Sequence, residues 1–152
     1  MAAVVSGLPS TAYHLATGRS LLEPVRAAGT LVLPHAPPHP LLAAGAVVHL
    51  AVSLGWGAVL GVVLPRRRAV AWGAIAGLAI AGLDLGLVGR RFPAIRVLPA
   101  LPQVADHVAY GAVVGAVLTG ADPAEGLCSS VRSLRSLRNR AGWRGGSIPP
   151  RR

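Results

Sequence analysis

Six side chains capable of acid–base or hydrogen-bonding chemistry sit inside runs otherwise apolar enough for lipid. His49 and Ser53 lie in LLAAGAVVHLAVSLGWGAVLGVVL, Asp84 in AVAWGAIAGLAIAGLDLGLVG, and Asp106, His107 and Tyr110 in QVADHVAYGAVVGAVL. Ionisable groups within a membrane are costly, usually face the bundle interior and are functional candidates by default. Carboxylate and imidazole together suit a proton relay, recognition of a polar headgroup or a divalent metal. No pair has a diagnostic spacing such as HExxH, so no metal and no cofactor is assigned. The competing role is structural: the charges pair with each other or with Arg90 and Arg91 to lock the helices, and Asp106 caps the third apolar run near its N-terminus.

The elements that must position these groups follow from the apolar runs. The chain has 152 residues, 53% of them hydrophobic, and a mean hydropathy of +0.56, which few small soluble domains reach. Residues 41–64 carry no formal charge and make a helix of about 36 Å, enough to span a bilayer with some tilt. Residues 69–89 make about 31 Å, interrupted only by Asp84, with Trp72 at interfacial depth. Residues 103–120 make a third span near the lower length limit, with Pro102 at its mouth. The amino segment, about residues 2–17, has Pro9 in its middle and is short for a crossing. It is expected to be the inner part of a first span whose beginning lies upstream, or a re-entrant or interfacial helix. The fold class is therefore all-α, a polytopic transmembrane bundle of about four spans in residues 1–120, followed by a basic cytoplasmic tail in 121–152.

The connectors read as follows. Ser20 and Glu23 in SLLE have capping-box spacing, with Pro24 tolerated in the first turn of a short helix reaching Leu33. PHAPPHP, residues 34–40, is four-sevenths Pro and predicts a stiff extended connector, which removes the helical face that would make His35 and His39 a metal pair. RRFPAIRVLPALP suits a chain lying along the interface with Phe92 as its anchor. DPAE, Asp122 to Glu125, starts a further helix, where Leu127, Val131 and Leu134 recur at helical spacing with Arg132 and Arg135 on other faces. From Arg138 onward the composition predicts disorder.

Charge distribution sets topology. All fifteen basic side chains are Arg; three form the run Arg66, Arg67, Arg68 and seven lie after residue 130. An even number of spans with both ends inside puts ten Arg on the inner side against five outside, which favours a cytoplasmic carboxyl end. Each Arg cluster directly follows an apolar run, where positive-inside anchoring and attraction to anionic lipid headgroups account for it, so nucleic acid is not an expected partner. The lone Cys128 excludes an internal disulfide, and there is no Walker loop, GxSxG or Rossmann glycine pattern.

Small or polar residues recur every fourth position: Gly45, His49, Ser53, Gly57 and Gly61 in the first long run, Gly73, Gly77 and Ala81 in the second, His107, Gly111, Gly115 and Thr119 in the third. In lipid, close backbone approach is what holds helices together, so three such stripes predict tight packing of the bundle. With this topology His49 lies roughly 12 Å and Asp84 roughly 8 Å below the outer helix ends, and Asp106 and His107 enter within the first turn. The expected result is one polar layer in the outer half of the membrane.

The stretches SGLPSTAYHLATGRSLLEPVRAAGTLVLP, HLAVSLGWGAVLGVVLPRRR and GLAIAGLDLGLVGRRFPAIRVLPALPQVADHVAYGAVVGAVL, in that order, resemble a group of small polytopic membrane proteins of high-GC bacteria. The resemblance covers most of residues 6–118 and implies a multi-pass protein of the bacterial plasma membrane; it carries no activity. Three functions remain open from the residues. The first is a non-enzymatic component that packs with itself or another membrane protein. The second is a transport or proton-coupled component using the Asp/His cluster, and the third a membrane-embedded metalloenzyme.

Overall fold

The structure is a computed structural model that describes residues 6–120. The expected carboxyl-terminal helix with Arg132 and Arg135, the basic tail and residues 2–5 of the first expected span lie outside the described residues. Every element among the described residues is helical: α1 (Leu8–Thr17), α2 (Glu23–Gly29), α3 (Pro38–Val63), α4 (Ala69–Leu83), α5 (Pro93–Arg96) and α6 (Ala100–Thr119). A π turn over Asp84–Val88 and a 3-10 turn over Gly89–Arg91 prolong α4. Three helices are long and apolar enough to cross a membrane: α3, α4 with its extension, and α6. The protein is an all-helical membrane protein. The amino segment supplies α1, whose ten residues reach about 15 Å, half the hydrocarbon thickness.

Proline and glycine decide where the helices begin and end, and here several sequence expectations are corrected. The PHAPPHP segment is not extended throughout, because Pro38, His39 and Pro40 form the first turn of α3. A first-turn proline lacks an N–H that would have no intrahelical partner anyway. For the same reason Pro102 does not delay α6, which starts at Ala100 and reaches about 30 Å. Ser20 does not form a capping box: its Oγ accepts the Leu22 amide in a local turn, and α2 ends at Gly29, short of Leu33. Within RRFPAIRVLPALP, Pro93 opens the single helical turn of α5. At the other ends, Gly18 and Gly120 take left-handed backbones (φ 67° and 65°) that close α1 and α6.

The tightest pairing is α4 against α6, antiparallel. A Cβ placed on Gly73 would overlap the Gly111 carbonyl, one on Gly77 the His107 carbonyl, and one on Gly115 the Ala69 carbonyl. Backbone meets backbone along three turns, which only glycine permits. The α3 stripe behaves differently. Gly45 packs on the backbone of α2 at Val25, Gly57 faces only the Tyr110 hydroxyl, and Gly61 meets nothing. Close packing of all three spans through their stripes is thus corrected to one glycine seam between α4 and α6 and a second between α2 and α3. What joins α3 to the pair is an apolar cluster of Leu60, Leu64, Ile80 and Val114, flanked by Trp56, Ala76, Tyr110 and Leu118. Outward-facing side chains such as Val62, 86% exposed, and Leu54 give the bundle an apolar perimeter suited to acyl chains.

Candidate functional site

Because α3 stands off from the α4–α6 seam, a cavity of about 330 Å³ opens between the three spans, bounded on the remaining side by α1, α2 and α5. His49 and Ser53 reach it from α3, Asp84 from the π turn, and Asp106, His107 and Tyr110 from α6. Trp56 and Ile80 lie at the end nearer Arg66–Arg68, and Leu98, Pro99 and Pro102 at the opposite end. Along α6, Asp106 lies about 9 Å from the start of the helix. Asp84 lies about 10 Å from the end of the extension of α4. Both carboxylates therefore belong to the half of the bilayer away from Arg66, Arg67 and Arg68, which sit exposed in the turn between α3 and α4.

The pairings are specific. His107 Nδ1 lies 2.7 Å from the Gln103 carbonyl, and its Nε2 lies 3.2 Å from Asp84 Oδ2. A carbonyl only accepts, so Nδ1 carries the hydrogen and donates it. The contact to Asp84 then needs a second proton, held either on Nε2 or on the carboxyl. The two residues meet in a single N···O contact, the geometry a proton needs to pass between them. Asp84 is aimed by α4, since its amide still donates to the Ile80 and Ala81 carbonyls, and the wide turn begins beyond it, where the Gly89 amide donates to the Asp84 carbonyl five residues back.

Asp106 plays a different part from the one its position predicts. It does not cap α6, where Pro99 occupies that place without a side-chain bond. Instead Asp106 Oδ1 accepts the Ser10 amide at 2.9 Å, satisfying one of the free N–H groups in the first turn of α1. A carboxylate on one helix thus caps another, 96 residues away in sequence. Arg90 and Arg91 take no share in the pairing, since the ion pairs among the described residues are Asp84–His107 and Arg19–Glu23.

Tyr110 donates its hydroxyl to the Ser53 carbonyl and so ties α6 to α3 at the cavity floor. Tyr110→Phe is expected to lower unfolding stability in detergent by about 0.5 to 1.5 kcal/mol, the worth of one interhelical hydrogen bond. An unchanged midpoint would mean that the apolar cluster alone holds α3. The Ser53 hydroxyl is not the group used, and His49 lines the wall without a hydrogen bond among the described residues.

Four polar residues of the wall were missed in the sequence: Ser6, Ser10, His14 and Gln103. His14 is 3% exposed and its Nδ1 has no hydrogen-bond partner among the described residues. The only signal was its place in a proline-capped segment too short to span, and nothing there pointed to a cavity. Among the described residues no three His, Cys, Asp or Glu side chains gather closely enough to hold a metal ion.

In comparisons with known proteins, the chain matches no family model, no curated protein and no solved structure. Function is therefore read from the cavity itself.

Proposed function

We propose that this protein is a non-enzymatic, proton-coupled transport component of a bacterial plasma membrane, working through the Asp84–His107 pair. The observation that carries the reading is the contact between the two side chains: three spans converge on a cavity in which one carboxylate and one imidazole lie 3.2 Å apart. Intramembrane Asp and His pairs of this kind suit proton uptake and release. The Arg distribution supports a cytoplasmic carboxyl end, which places the cavity in the outer half of the membrane and the tail among anionic headgroups. The resemblance to small multi-pass proteins of high-GC bacteria supports the same membrane.

The test is proton entry into proteoliposomes loaded with a pH-sensitive dye under an imposed potassium diffusion potential. Wild-type protein is expected to carry flux above protein-free vesicles, and Asp84→Asn to reduce it about tenfold or more. Flux that survives Asp84→Asn, or a wild type no leakier than empty vesicles, would remove this reading. The second reading, a helix-packing component that binds a copy of itself or another membrane protein, is favoured by α3, whose Gly55 and Gly61 face open space among the described residues. A defined oligomer in nanodiscs with no proton flux would support it.

A further inference from the structure

We infer that the cavity takes a small organic cation, a protonated amine on an apolar body, with the Asp106 carboxylate as its counter-ion. This deepens the transport reading by naming the class of molecule at the same site, and rests on it for the choice of site.

The charge of the wall is the first ground. Its lining contains Asp84 and Asp106 with three imidazoles, His14, His49 and His107, but no Arg, and the chain has no Lys. Asp84 is matched by His107. Asp106 receives the neutral Ser10 amide and has no ion-pair partner among the described residues. The imidazoles of His49 and His107 are its titratable neighbours in the wall, and neither forms an ion pair with it among the described residues, so an incoming cation supplies a full counter-charge. An anionic ligand would instead meet two carboxylates with no guanidinium to receive it.

The second ground is independent of the carboxylates. His14 is almost fully buried against the cavity and its Nδ1 has no partner among the described residues, whereas buried polar atoms nearly always have one. An unprotonated imidazole nitrogen is an acceptor, and an ammonium carries several N–H donors. The third ground is shape. The rest of the wall is largely apolar, including Leu31, Val52, Trp56, Ile80 and Leu98, and its volume of about 330 Å³ suits a small molecule. The indole of Trp56 adds a face that attracts a cation.

The experiment uses the full chain in nanodiscs of zwitterionic lipid, with empty discs subtracted. Three probes share one body and differ in charge: phenethylammonium, phenethyl alcohol and 3-phenylpropionate. Binding is read by calorimetry. The ammonium is expected to bind about tenfold or more tighter than the alcohol, a difference of roughly 1.4 kcal/mol, and the carboxylate not at all. Asp106→Asn, which keeps an oxygen acceptor for the Ser10 amide, is expected to bring the ammonium to the level of the alcohol. Equal binding of ammonium and alcohol, preference for the carboxylate, or no ammonium binding at millimolar concentration would each overturn the inference. The three-probe comparison on the wild type stands whether or not the variant folds. Charge-selective binding without proton flux would remove proton coupling alone, and flux without it would remove this inference alone.

Discussion

Gly111→Val is expected to be among the most disruptive single substitutions in the bundle, lowering unfolding stability by about 3 kcal/mol or more, at or beyond the upper end of ordinary overpacking. A Cβ at Gly111 would overlap the Gly73 carbonyl and crowd the Gly77 amide, both backbone atoms that no rotamer change can move aside. Valine adds two further methyl groups to that overlap, so α4 and α6 must separate along the whole seam. The seam also sets the distance between Asp84 and His107, and widening it breaks their contact. Gly61→Ala is the matched control. Its Cβ would meet no atom within 4 Å, and its stability is expected to stay within about 0.5 kcal/mol of the parent or rise slightly. Denaturant titration of the helical signal in micelles measures both. Equal behaviour of the two variants would mean that the seam is not where α4 and α6 are held.

The second large effect separates stability from chemistry at one residue. Asp84→Ala leaves His107 Nε2 without a partner and is expected to cost about 1 to 2 kcal/mol. That is less than the 3 to 5 kcal/mol typical of a fully buried pair. The discount follows from side-chain exposures of 29% for Asp84 and 25% for His107, and from the modest worth of polar pairs in membrane bundles. Asp84→Asn should differ sharply. With Nδ1–H committed to the Gln103 carbonyl, a neutral His107 presents Nε2 as an acceptor, and the new amide can donate to it. Stability is expected to stay within about 0.5 kcal/mol of the parent, while proton flux is lost because an amide does not exchange a proton. A double-mutant cycle with His107→Ala then reads the coupling, expected at about 0.5 to 2 kcal/mol. Zero coupling would mean that the two side chains do not interact in the membrane. An Asp84→Asn loss as large as that of Asp84→Ala would mean that the carboxylate is structural.

The spans were legible because length and apolarity are properties of a run of residues: 41–64, 69–89 and 103–120 each contain most of the helix that forms. Boundaries were less legible where proline was read as a breaker. Pro40 and Pro102 sit in first turns, where the missing N–H does no harm, so α3 and α6 start three residues earlier than expected. Spacing located the small-residue surfaces but could not name what lies against them. The same four-residue pattern packs on another span at Gly73 and Gly111, on a short helix at Gly45, and on nothing at Gly61. The polar residues His49, Ser53, Asp84, Asp106, His107 and Tyr110 could be singled out because they stand out from an apolar background. His14 and Ser10 could not: Ser10 matters through a contact made 96 residues away, and His14 through its burial against the cavity. The π turn left no trace either, because hydropathy does not record how many residues a turn contains.

That wide turn also bears on how such a site can arise. Each residue added to a helix rotates everything beyond it by about 100°. A single inserted codon near position 84 would thus re-aim the distal end of the helix while leaving residues 69–83 locked in their seam. The part of the protein that holds it together and the part that carries Leu85 and Val88 to the cavity wall are separable by one codon, so the shape of the cavity can change while the seam and Asp84 stay in place.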